Sequence, residues 1–206
     1  MLNRIEIKQK TGSEPLLFNG KEIGVKLIDF WSWGLSDIIS NTARGRFAEF
    51  IVATALKIDL SIIYDEWNAY DLTSPEGIKV EVKSSAYLQT WEQKDFSKIS
   101  FSIRAARSWN SITNEMAETP SRESDVYVFC LLKHKDQATL NPLNLEQWDF
   151  FVLSTLEINN YKRSNSFITL NSLRKLTTEV SYDNLRDTII REYKKIRYGY
   201  KLNTNY

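Results

Sequence analysis

The chain has 206 residues, 42% of them hydrophobic, 26% charged and 13% aromatic, with a net charge of +1. This length and composition fit one globular domain, residues 1–206, and argue against a disordered chain or two full domains. Near-neutrality argues against a uniformly basic nucleic-acid binder and leaves any such contact to a local patch. The single cysteine, Cys130, lies in an apolar run and can form neither an internal disulfide nor a zinc site by itself. No segment reaches the length of a transmembrane helix, and MLNRIEIKQK lacks the apolar core of a signal peptide, so a soluble cytoplasmic protein is expected.

Residues 1–24 carry little periodicity apart from a turn at Phe18-Asn19-Gly20-Lys21. From Val25 the spacing predicts a helix, because Leu27, Ile28, Trp31, Leu35, Ile38 and Ile39 recur at three and four. Ser40-Asn41-Thr42 offers caps for a second helix running to about Leu56. Phe47, Phe50, Ile51, Thr54 and Ala55 form its predicted apolar stripe. Glu49 sits with Gly45, Val52, Ala53 and Leu56 at helical spacing. A carboxylate in such company is costly unless it is paired or binds a cation. Arg46, three residues earlier, would supply an intrahelical pair; a functional site is the other reading.

Residues 61–65 read as a short strand. Residues 67–85, WNAYDLTSPEGIKVEVKSS, then read as a hairpin. Proline suits the second position of a tight turn, and Gly77 suits the left-handed residue that closes a three-residue loop. With Pro75, Glu76 and Gly77 as that loop, Leu72 faces Val80 and Asp71 faces Glu81. Ile78, Val80 and Val82 then share an apolar face, and Lys79, Glu81 and Lys83 a polar one. A slip of one residue would mix the faces. Two carboxylates held side by side repel unless a positive charge intervenes. A divalent cation such as magnesium takes oxygen ligands, and a neighbouring lysine stabilises charge developing on a phosphate, which suits metal-assisted phosphodiester hydrolysis. The same pattern also fits an exposed polar sheet face laced with ion pairs.

Further along, residues 98–104 alternate Ile99, Phe101 and Ile103 against Ser100, Ser102 and Arg104, predicting a third main strand. Residues 110–124 read as a surface excursion. The run DVYVFCLLK at 125–133 predicts a central strand covered on both faces. His134, the only histidine, reads as a loop residue. Residues 148–153 predict another strand, 168–170 a short edge strand with a brief helix after Asn171, and 183–197 an amphipathic helix buried along Leu185, Ile189 and Ile196. Its basic end, with Arg191, Lys194, Lys195, Arg197 and Lys201, suits either the helix dipole or a phosphate surface.

The order is now a helix bearing Glu49, a strand with Asp71, a strand with Glu81-Val82-Lys83, a third strand, and then a buried strand. Over about residues 40–133 it resembles the PD-(D/E)XK, or restriction-endonuclease-like, nuclease superfamily. Tyr70 stands where that pattern can carry a proline. The resemblance implies a three-layer α/β/α fold around a central mixed sheet, with a core at about 25–155 and a C-terminal extension at 156–206 packed on it. It also implies a magnesium-dependent DNA endonuclease, with manganese able to substitute, working alone or as a homodimer. By the same resemblance Asp71, Glu81 and the Val82 carbonyl would hold the metal, Glu49 would join directly or through water, and Lys83 would assist the attack. Lys79, Ser84, Ser85, Arg44, Arg46 and Arg104 are the expected nucleic-acid contacts. The alternative is a catalytically silent module of the same fold that binds nucleic acid or another protein.

Overall fold

The structure is a computed structural model that describes residues 5–65, 67–110 and 115–202. Its centre is the strand Val126–Leu132, whose seven residues are all buried. In chain order the molecule begins with a two-stranded ribbon, β1 (Pro15–Phe18) and β2 (Lys21–Lys26), then α1 (Leu27–Leu35) and α2 (Asn41–Ala55). The hairpin strands β3 (Leu72–Thr73) and β4 (Lys79–Ala86) follow, then β5 (Ser100–Ser102), β6 (Trp109–Asn110) and β7 (Glu115–Met116). The chain continues through β8 (Val126–Leu132), β9 (Trp148–Ser154), α3 (Thr155–Asn160), β10 (Phe167–Thr169), α4 (Leu170–Leu173) and α5 (Tyr182–Leu202). The fold is mixed α/β with a four-stranded mixed sheet ordered β3-β4-β8-β9. β4 runs parallel to β8, and the other two pairs are antiparallel.

The two faces of β8 bury different partners. Val126, Val128, Cys130 and Leu132 pack with Ala48, Ile51 and Val52 of α2 and with Leu185 and Ile189 of α5. Tyr127, Phe129 and Leu131 pack instead with Phe101, Ile103, Ile168 and Leu173. One flank is therefore made of long helices, and the other of the β5–β10 pair with short helices. A fully buried Phe or Leu here contributes about 1.5–3 kcal/mol, which is why the continuous apolar run at 126–132 must lie mid-sheet. No helix among the described residues is long and apolar enough to cross a membrane.

Several sequence expectations need correction. The first helix begins at Leu27 rather than Val25, because Val25 belongs to β2 and the Asp29 carboxylate caps the Lys26 N–H at 2.7 Å. It contributes no buried residue, so its apolar positions do not face the core. Ile38 and Ile39 lie beyond it, where Asp37 accepts from the Ile39 and Ser40 N–H groups and turns the chain. On α2 the buried face is Ala48, Ile51, Val52, Ala53 and Leu56, and Phe50 is half-exposed. Small residues there let the helix sit close on the sheet.

Residues 61–65 are not a strand, since Asp59 accepts from the Ser61 N–H at 2.9 Å and bends the backbone. β5 alternates as expected, with Ile99, Phe101 and Ile103 buried, but it pairs antiparallel with β10 and not with the main sheet. The excursion after residue 110 returns as a short β6–β7 hairpin, and residues 111–114 lie outside the described residues. At the end of α5, Lys195 pairs with Glu192 at 2.7 Å, and the side chains of Arg197 and Lys201 lie outside those described.

Candidate active site

The β3–β4 hairpin is built by its turn. Ser74 is buried, its carbonyl accepts from the Gly77 N–H at 2.9 Å, and its N–H donates to the Ile78 carbonyl at 2.9 Å. The Ser74 hydroxyl also accepts from the Glu76 and Ile78 N–H groups at 3.2 Å. Gly77 sits at φ +82°, a conformation that a Cβ would strain. Glu76 at the tip pairs with Arg186 of α5, tying the loop to the C-terminal helix.

This turn sets the register. Leu72 pairs with Val80 and Thr73 with Lys79, and the Asp71 N–H donates to the Val80 carbonyl at 3.1 Å. Asp71 itself lies one residue before β3, outside the paired register. β3 begins at Leu72, so past Asp71 the edge of β4 has no paired strand. The backbone groups of Val80 face this edge, and those of Val82, two residues on, do the same. The Asp71 carboxylate lies along it and accepts from the Val82 N–H at 2.7 Å.

Glu81 and Lys83 project to the flank of the β5–β10 pair, since their neighbours across the parallel ladder are Tyr127 and Phe129. The Lys83 ammonium donates to the Glu81 carboxylate at 2.5 Å, and both side chains are mostly buried. Burial pushes the Glu81 carboxyl above its ordinary value and the charge of Asp71 adds to this, while Lys83 opposes it. Burial and then the Glu81 charge push the Tyr127 hydroxyl up to about 12.

Glu49 lies on the other flank. Its carboxylate accepts from Arg46 at 2.8 Å, so the intrahelical pair exists, yet the side chain is only 16% exposed. Burial pushes its pKa up first, then the Asp71 charge; Arg46, a hydrogen bond from Tyr64, and Lys83 oppose. The Arg46 guanidinium carbon stands 3.8 Å from the centre of the Tyr64 ring. Tyr64 is itself pushed up to about 12 by burial and by the charges of Glu49 and Asp71. These groups wall a cleft of about 670 Å³ that holds Glu49, Asp71, Arg46 and Tyr64, with Trp31 and Phe50 beside them and Lys8 and Lys10 at its border. Glu81 and Lys83 are not among its walls. Asp71 thus lines the cleft beside Glu49, and its charge also acts on Glu81.

Among the described residues, no three His, Cys, Asp or Glu side chains come together as a group able to hold a metal ion. The narrower set of Asp71, Glu81 and the Val82 carbonyl consists only of oxygen donors, with the Asp71 carboxylate held at Val82 beside Glu81 in the chain. That donor chemistry fits a hard cation, which commonly takes one or two carboxylates and completes its shell with water.

The expected nucleic-acid contacts divide. Arg44 cannot meet a phosphate: it is 3% exposed and donates to Ser84 at 3.0 Å, the Ile39 carbonyl at 2.6 Å, Gln89 at 3.3 Å and Asn41 at 2.7 Å. Ser84 is accordingly occupied as its acceptor. Ser85 is half-buried on the Lys83 side of β4. Lys79 shares the Glu81 side, its N–H donating to Asp125 at 2.8 Å and its ammonium lying 5.2 Å from the centre of the Tyr70 ring. Arg46 faces the cleft, and Arg104 is exposed beyond β5 on the Glu81 flank. Sequence reasoning missed Tyr64 and Trp31. The signal for Tyr64 was masked by reading 61–65 as a strand, and that for Trp31 by reading its helix as core.

No curated protein matches the chain. A sequence model of the bacteriophage T4 endonuclease IV family matches residues 33–172, which include Glu49, Asp71, Glu81 and Lys83. With the match covering well over half of its length, the chain belongs to the bacteriophage T4 endonuclease IV family.

Proposed function

We propose that the protein is a metal-dependent endonuclease that hydrolyses phosphodiester bonds in DNA, working as a single nuclease-like domain of restriction-endonuclease-like architecture. The observation that carries this reading is the Asp71 carboxylate held on the Val82 N–H, one residue from Glu81, with the Lys83 ammonium on the Glu81 carboxylate, in a chain of an endonuclease family. The mixed sheet with α2 across one face agrees with the proposed architecture.

Asp71, Glu81 and the Val82 carbonyl would hold magnesium or manganese, with Glu49 joining directly or through a water. When bound, such a cation supplies Lewis acidity at a phosphoryl oxygen and acidifies a water. The chain's own residues do the rest. Lys83, freed from Glu81, donates to a non-bridging phosphate oxygen as negative charge builds there. Glu49, at the cleft wall beside Asp71, would take a proton from the attacking water. Lys79 and Ser85 on one side of β4, and Arg46 on the other, meet the phosphates that flank the cut.

The competing reading is a silent nuclease-fold module. It is favoured by the cationic partner that Glu49 and Glu81 each already possess. Cleavage of plasmid and branched DNA in magnesium separates the two. The enzyme reading expects Glu81→Ala and Lys83→Ala to slow cleavage by at least ~100-fold, the usual loss when a transition-state donor is removed. Wild-type protein that binds DNA with steep salt dependence but never cuts it would establish the silent module.

A further inference from the structure

Tyr64 touches two charged groups of the site at once, and nothing in its own segment accounts for it. It lies in the irregular stretch between α2 and β3. Side chains turn the backbone on either side of it: Asp59 accepts from the Ser61 N–H at 2.9 Å, and Asp65 accepts from the Trp67 N–H at 3.1 Å. Gln9 donates to the Leu60 carbonyl at 3.3 Å and holds the start of the stretch. Tyr64 stays 37% exposed, and it belongs to neither apolar cluster of the core.

Its contacts are with charge. The Arg46 guanidinium carbon stands 3.8 Å from the ring centre, a distance at which the π face attracts a cation. Stacking takes the flat face of a guanidinium and leaves its in-plane N–H groups for acceptors. Arg46 donates to Glu49 at 2.8 Å. The Tyr64 hydroxyl accepts from Arg46 and donates to the Glu49 carboxylate. Three side chains thus close a ring of contacts on the wall of the cleft that also holds Asp71.

The two charged members do not keep each other once DNA arrives. A phosphate competes with Glu49 for the guanidinium, because both are anionic acceptors of the same fork. The Tyr64 hydroxyl is then the contact left on Glu49, and the Tyr64 ring is the contact left under Arg46. Groups placed before the reaction lower its barrier, and groups that must first be found do not.

We propose that Tyr64 is a positioning residue, whose hydroxyl fixes the Glu49 carboxylate toward Asp71 and whose ring fixes Arg46 toward a phosphate beside the cut. This rests on the endonuclease reading. The two halves of the side chain have separate effects, so two substitutions separate them.

Magnesium-dependent plasmid cleavage by wild type, Tyr64→Phe and Tyr64→Leu tests it, with kcat and KM measured for each and circular dichroism confirming the fold. Tyr64→Phe keeps the ring and loses the hydroxyl. Its kcat should fall about tenfold, the rate equivalent of one hydrogen bond to a charged group, with KM within about twofold of wild type. Tyr64→Leu loses both, so KM should also rise by about threefold to fivefold, the scale of an exposed cation–π contact. The slope of log DNA affinity against log salt should fall by about one in Tyr64→Leu, as when one phosphate contact is lost, and should not change in Tyr64→Phe. An active wild type with an equally active Tyr64→Phe protein overturns the proposal and leaves the endonuclease reading standing. So do two folded variants that lose kcat and KM alike, because the residue would then act by packing. Should Tyr64→Leu fail to fold, the kcat of Tyr64→Phe still decides. A wild type that cuts no DNA removes the endonuclease reading and this proposal with it.

Discussion

At the scale of single residues, the site is a set of acids arranged around one carboxylate. Asp71 lies half-buried beside the edge of β4 and takes a backbone N–H at 2.7 Å, and its charge adds to the burial that raises the pKa of both Glu49 and Glu81. The consequence for stability has a definite sign. A carboxyl whose folded pKa is raised gives stability that is fully present below its unfolded pKa, about 4.3 for glutamate. That stability is lost as pH rises through the folded value. In metal-free buffer Glu81→Gln, which mimics the protonated acid, should therefore melt above the wild type at neutral pH. The gap should close as pH falls below the ordinary glutamate value. Thermal melts across that range check this; a variant that melts lower at neutral pH would show that the Lys83 pair outweighs burial and Asp71. The gain in stability would come with a loss of function, the usual trade at an active site.

The elements show which residues hold the site without touching it. Arg44 is the main case: of its four hydrogen bonds to neutral acceptors, two tie α2 to Ser84 of β4 and to the loop carrying Gln89, and two hold Ile39 and Asn41 at the start of the helix. Burial lowers its pKa, and the Asp37 charge only partly offsets this. Arg44→Ala should cost about 2–4 kcal/mol by urea unfolding, from lost packing and from acceptors left unpaired in the interior. It should leave the salt dependence of DNA binding unchanged. A cost below about 0.5 kcal/mol, the range of ordinary surface changes, would mean that the network forms without it. This role was not legible in the sequence, where Arg44 reads as one more cation near the site; its partners Ser84 and Gln89 lie 40 and 45 residues away. The hairpin was legible because all its determinants are local: the Pro-Glu-Gly loop, the alternation and a left-handed Gly77. β5 shows the limit of local pattern. Its alternation was correct, but its partner β10 lies more than sixty residues on, and no local signal names it. On α2 the same limit misassigned Phe50, which is apolar by type but lines the cleft.

In the whole molecule the sheet separates two layers, and the site lies at its β3–β4 edge. Glu49 approaches from the α2 flank and Glu81 with Lys83 from the other, with Asp71 between them. The mixed α/β class was readable from the order of elements, and the central strand from its continuous apolar run. That Glu49 and Glu81 lie on opposite flanks was not, since a helix and a strand give no relative placement until they pack. Asp71 is the central residue, since it lines the cleft beside Glu49 and its charge also acts on Glu81. The deciding measurement is the rate of magnesium-dependent plasmid cleavage by Asp71→Asn beside the wild type, with melting curves confirming that both are folded. The account predicts an active wild type and a loss of at least ~100-fold in the variant, the scale on which removal of a catalytic group is felt. An equally active Asp71→Asn protein would contradict it.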